Sequence, residues 1–230
     1  MARLFSSLIL LAFLWPSSTS ATDPCAGIKP PDPEEGIAAL GGQVFRSPGT
    51  GKVIEVRLNG SARLRDEDLA LVSSYTSLTD LSLEHTAITG AGLIHLRRLR
   101  KIEWLNLWQT TIGDEGLAHL SMLHSLQHLP VGGTRITDAG LEHLRDLPAL
   151  LYLGLRDTDI GDAGVSKLTR LPVLKEINLR GTKVTDQCIE SLCRIPTLRK
   201  VWLGETGISA RGRARLKAGL PMCVIDLTGD

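Results

Sequence analysis

From Leu78 onward the chain repeats itself with a period of 24 residues. Leu78, Ile102, Leu126, Leu150, Leu174 and Leu198 each open a unit, and Met222 opens a truncated seventh. Each unit reads L-x-x-L-x-L-x-x-T and continues into an I-x-D-x-G-L-x-x-L-type segment. A unit this small cannot bury its own apolar residues. Stacked units share one continuous core, so the pattern requires a solenoid rather than a globular enzyme fold.

The two halves of a unit carry different periods. Leu78-x-x-Leu81-x-Leu83 alternates apolar and polar, as a strand does. Thr86 recurs as Thr110, Thr134, Thr158, Thr182 and Thr206. A buried hydroxyl at that turn is expected to bond the backbone of the next coil and form a ladder. Ile88, Ile112, Ile136, Ile160, Val184 and Ile208 follow as core plugs. Asp114, Asp138, Asp162 and Asp186 then stand where a helix N-cap belongs. Leu93, Leu96 and Leu99 give a helical inward stripe, and Pro148, Pro172 and Pro196 close three of the helices. The expected architecture is α/β: one strand and one helix per turn, with the parallel strands lining the inner curve.

Units such as Thr134-Arg-Ile-Thr-Asp-Ala-Gly-Leu-Glu-His-Leu144 resemble the leucine-rich repeat family. Within it they are similar to the I-T-D-x-G-L group, related to the cysteine-containing class, with threonine in place of cysteine. Secreted bacterial proteins with 24-residue Thr-type units look most similar. The resemblance spans about residues 34–230. It implies a leucine-rich repeat solenoid, a right-handed α/β horseshoe with a parallel concave sheet and outer helices. It says little about function.

The ends of the array divide the chain. Residues 1–21 read as a secretory signal: Arg3, then an apolar run from Leu4 to Trp15, then Pro16 and small residues up to a cleavage point after Ser20 or Ala21. That run is too short to span a bilayer, so no membrane span is expected once it is removed, and the protein is expected to be exported to the periplasm or beyond. Residues 22–33 read as a Pro- and Asp-rich linker. Residues 34–52 read as an N-terminal cap, with a helical stretch at Glu34–Leu40 and a strand at Gln43–Arg46. Residues 53–221 are repeats, the first an imperfect founding unit, and 222–230 close the array as a truncated repeat or cap.

Charge is balanced, with 26 Lys and Arg against 25 Asp and Glu. This gives no nucleic-acid footprint. Motifs for a nucleophilic serine, a metalloprotease or a phosphate-binding loop are absent, so no enzyme activity and no cofactor are expected. His95, His119 and His143 recur once per repeat, on outer elements about 8–10 Å apart, which is too wide for one zinc ion. Asp114, Asp138, Asp162 and Asp186, one repeat apart, likewise fail the close clustering calcium needs, so no metal is expected. Cys188 occupies a slot that holds glycine in other repeats and reads as core; a Cys193–Cys223 bridge at the C-terminal end is left open.

Function is expected on the inner face, where side chains between the leucines point outward in three rows. The first row is Asp80, Trp104, His128, Tyr152, Glu176, Lys200. The second is Ser82, Asn106, Pro130, Gly154, Asn178, Trp202, and the third Glu84, Trp108, Gly132, Arg156, Arg180, Gly204. Every tryptophan beyond the signal falls in these rows. Trp, Tyr and Arg are the residues that dominate binding hot spots. The candidate ligand-binding residues are therefore Trp104, Trp108, His128, Tyr152, Arg156, Arg180 and Trp202. The expected ligand lays an apolar or planar group on the tryptophans and an acidic group on the arginines. A protein partner is the leading reading, a glycan stacked on Trp and Tyr the alternative, and a passive structural solenoid the third. Pro130, inside a central strand, predicts a local sheet defect beside the site.

Overall fold

A computed structural model of the protein describes residues 32–228. The expected signal and all but the end of the linker, with Cys25, lie outside these residues. The described strands form one sheet of nine in sequence order: β1 (Gln43–Arg46), β2 (Val53–Arg57), β3 (Asp80–Ser82), β4 (Trp104–Asn106), β5 (His128–Pro130), β6 (Tyr152–Gly154), β7 (Glu176–Asn178), β8 (Lys200–Trp202) and β9 (Val224–Asp226). β1 runs antiparallel to β2, following a helix at Pro33–Ala39. Every later pair is parallel. The array is an α/β leucine-rich repeat solenoid, as the period requires.

Each repeat from Leu78 onward contributes only three residues of strand, shorter than the alternating run suggests. The register is strict: Asp80, Trp104, His128, Tyr152, Glu176 and Lys200 pair in sequence across the sheet. The leucine positions between them are sealed, with Leu81, Leu105, Leu129, Leu153, Ile177 and Val201 all fully buried. Burying each such side chain favours the fold by roughly 1.5–3 kcal/mol relative to exposure. The expected defect is present. β4 and β5 share only the Trp104–His128 pair, where every other parallel pair shares three, because Pro130 has no N–H to donate.

Except for the regular α-helix Ala210–Gly219 of the last unit, the convex side departs from the expected regular helix. Gly90–Leu96 is a 3-10 helix, and Asp114–Leu117, Asp162–Lys167 and Ile189–Cys193 are single or double helical turns joined to 3-10 segments. Leu93, Leu96 and Leu99, all fully buried, are spaced three apart. Three residues per turn is the 3-10 period, at which i and i+3 eclipse.

The threonine and aspartate positions exchange the roles expected of them. The threonines do not bridge coils. Thr86 Oγ1 donates to the Leu83 carbonyl at 2.6 Å, and Thr110, Thr134, Thr158, Thr182 and Thr206 do the same to the carbonyl three residues back. The nearest inward-facing acceptor is the end of the hydroxyl's own strand, so each threonine closes its own turn.

The aspartates, expected as helix caps, bridge the coils instead. Asp114, Asp162 and Asp186 are first helical residues, and the preceding residue occupies the cap. Asp114 accepts the Thr137 N–H and hydroxyl, both at 2.7 Å. Asp162 accepts the same pair from Thr185, Asp186 from Ser209, and Asp66 from Thr89. The hydroxyls of Thr89, Thr185 and Ser209 in turn cap their own helical turns. Each aspartate thus fixes the helix start of the next unit.

Asp162→Ala is expected to lose about 1–3 kcal/mol, because it strands the Thr185 N–H and hydroxyl. Asp138→Ala is expected to lose less, since Asp138 accepts only the Gly161 N–H at 2.7 Å. Urea titration checks the order, and equal losses contradict it. The Ser209 hydrogen bonds hold Asp186 below its ordinary carboxylate pKa. Its contribution is therefore complete above the unfolded value and is lost as pH falls through the lower folded one. The stability gap between wild type and Asp186→Asn is expected to be full above about pH 4 and to shrink below it.

Candidate binding site on the concave face

The repeat register sets four aromatic rings side by side. Trp104 stacks on His128, with centroids 5.0 Å apart and planes at 25°. His128 lies 6.4 Å from Tyr152, which meets Trp202 edge-on at 6.2 Å. The first two contacts form because identical strand positions in adjacent units lie one strand spacing apart; Trp202 reaches Tyr152 from the second row, two strands on. Burial lifts the Tyr152 hydroxyl above the ordinary phenol range, opposed by a hydrogen bond with Asn178. The ring therefore stays neutral at physiological pH.

The stripe lines a cleft of about 600 Å³, with Trp104, Trp108, His128, Pro130 and Tyr152 as its apolar wall. Its polar groups are Glu84, Asn106, Lys175 and Glu176. Trp104 remains 41% exposed. Trp108 lies over Gly132: a Cβ there would stand 2.3 Å from the indole. The Tyr152 hydroxyl similarly leans over Gly154. These two glycines thus seat the rings.

Four of the seven candidate residues line this cleft: Trp104, Trp108, His128 and Tyr152. Trp202 stands at the end of the stripe, with Lys200 Nζ 4.2 Å from its ring centroid. The two arginines are engaged elsewhere. Arg156 pairs with Asp157 at 3.0 Å and sits over Trp108 at 5.6 Å. Arg180, with a side chain only 12% exposed, pairs with Glu205 at 2.7 Å. Asp157 and Glu205 occupy the position after the third row, where the backbone turns left-handed in each unit: φ is 51° at Gln109, 64° at Gly133, 55° at Asp157, 66° at Gly181 and 57° at Glu205. An acid at this position beside an arginine was the signal in the sequence that the arginines are neutralised locally.

The sequence rows contain three of the cleft's four polar groups, Glu84, Asn106 and Glu176, without marking them. Asn106 accepts the Trp108 N–H at 3.0 Å and donates to Glu84 at 2.9 Å, so one amide fixes both the turn and the carboxylate. Lys175 and Leu151 lie outside the three rows and enter the cleft from the strand starts.

The remaining polar candidates take no part. His95, His119 and His143 lie on the helical side. Among the described residues no group of three or more His, Cys, Asp or Glu is placed to hold a metal ion. Cys188, Cys193 and Cys223 are free thiols. Burial pushes the Cys188 thiol up to about 12, which leaves it protonated and unreactive.

A parallel inner sheet backed by short helical turns, with a buried apolar ladder common to every unit, defines a repeat scaffold. The Leucine Rich repeat family matches residues 148–168, most of one unit of the array, running from just before β6 into the following helical turn. Among solved structures the chain is similar to an internalin (inlF) from Listeria monocytogenes, with 18% identity and a TM-score of 0.56, covering 86% of this chain and 62% of that one. It is also similar to internalin C2 (inlC2) from the same organism, with 21% identity and a TM-score of 0.57, covering 86% of this chain and 93% of that one. At these identities the likeness concerns the fold. No curated protein matches the chain in sequence. The chain has a leucine-rich repeat fold, and one of its units matches that family. No helix among the described residues is long and apolar enough to cross a membrane.

Gly132→Ala is expected to displace the Trp108 indole, because the new methyl also meets the Arg156 carbonyl at 2.7 Å. A loss of about 1–3 kcal/mol is expected, with a shift in tryptophan emission. Unchanged emission would show that Trp108 is not seated on this glycine.

Proposed function

We propose that this protein is a non-catalytic binding scaffold that captures a protein partner on its concave face, with the aromatic cleft as its anchor. The observation that supports this most is the run of rings from Trp104 through His128 to Tyr152, lining a cleft rather than closing on itself. Aromatics that served the sheet alone would cover one another. Trp104 instead keeps an exposed ring, which a bound partner would desolvate. Buried aromatic anchors carry most of the energy of such interfaces. The proposal includes export, through the signal read in residues 1–21. N-terminal sequencing of the exported protein is then expected to begin at Ala21 or Thr22.

Replacing Trp104 and Trp108 together by alanine is expected to leave the core intact, because neither side chain belongs to it. Capture of partner from the exported fraction is expected to be abolished, since losing two aromatic anchors costs about 2 kcal/mol or more each. Normal capture by the double variant contradicts the proposal. Binding on a glycan array without protein capture replaces it with the sugar-stacking reading. Neither protein capture nor glycan binding by the wild type leaves a structural solenoid.

A further inference from the structure

The N-terminal end of the aromatic stripe differs from the rest. One face of the Trp104 indole is covered by His128. Its register partner on the other side is Asp80, so the uncovered face turns toward β3. A second hollow of about 240 Å³ opens there and shares Glu84, Trp104 and Asn106 with the main cleft. Asp80 and Ser82 line the same hollow.

The charges in this hollow do not cancel. Its one basic residue, Arg57, is committed to Glu55 at 2.5 Å and lies over the Phe45 ring at 4.6 Å. Asp80 receives the Thr79 hydroxyl. Glu84 is held by the Asn106 amide and lies 3.4 Å from His85 Nε2. Neither carboxylate pairs with a lysine or arginine among the described residues. The Ser82 hydroxyl is buried without a hydrogen-bond partner among the described residues. Two carboxylates beside an open indole face form a site for a cation, since the ring quadrupole and the carboxylates attract the same charge.

We propose that this hollow is a cation subsite that receives a lysine or arginine side chain of the protein partner. The charged head sits against the Asp80 and Glu84 carboxylates, and the aliphatic stem runs along the open face of Trp104. The inference rests on the concave-face reading and reverses the ligand charge that the arginines suggest in the sequence. Arg156 and Arg180 are already neutralised by Asp157 and Glu205, whereas Asp80 and Glu84 at the other end of the cleft pair with no lysine or arginine among the described residues.

Hexalysine and hexaglutamate, titrated separately into the protein and followed by tryptophan emission and calorimetry, test this. Hexalysine is expected to bind, hexaglutamate is not, and hexalysine binding is expected to weaken with added salt. In the double variant Asp80→Asn, Glu84→Gln hexalysine binding is expected to fall about tenfold, with the melting temperature unchanged. No binding of hexalysine, equal binding of both peptides, or equal binding to wild type and the double variant overturns the subsite. Partner capture distinguishes this failure from that of the wider reading. Capture lost with Trp104 and Trp108 but kept in the Asp80/Glu84 variant overturns the subsite alone. Capture indifferent to the tryptophans overturns the concave-face reading.

Discussion

Each unit of this chain can hide its apolar side only against the next unit, and that dependence fixes almost everything else. The leucine ladder supplies the driving force, but burial is non-directional and would tolerate a slipped stack. Direction comes from the aspartate that reaches forward to the backbone N–H and hydroxyl at the start of the next helical turn. A slip would strand a carboxylate, an amide and a hydroxyl together. The threonine closes its own turn, so the hydroxyl and carboxylate ladders divide the work: one shapes the unit, the other aligns it.

That alignment is what makes the concave face a surface with columns. Because equivalent residues pair strand by strand, a substitution in one unit lands beside the equivalent position in the next. Trp104, His128 and Tyr152 stack only because three successive units place a ring at the same position. Pro130 interrupts the backbone ladder at this point, and the cleft lies against the interruption. The conserved geometry of the core thus carries a face on which the units differ from one another.

Much of this was legible in the sequence. The period gave the solenoid, the phase gave the buried ladder and the rows, and Pro130 announced the sheet defect. What was not legible depended on distances that the period leaves open. Whether Asp114 caps its own helix or grips Thr137 is decided by which N–H lies closer, and the coil stacking decides that. The spacing of Leu93, Leu96 and Leu99 fits an inward helical stripe and a 3-10 turn alike; the short convex path selects the tighter one. Arg156 and Arg180 read as exposed anchors until the left-handed residues Asp157 and Glu205 are placed beside them. The row positions identified the residues of the cleft, but its charge emerged only once the local pairs had been removed.

The central claim is that the partner lies in the aromatic cleft. Photo-crosslinking tests it most directly, with a photoreactive residue placed at exposed Glu103, next to Trp104, and a control probe at exposed Glu142 on the helical side. Crosslinked partner peptides from position 103 and none from position 142 are the predicted result. Crosslinks from position 142 with none from position 103 would place the partner on the convex side and contradict the account.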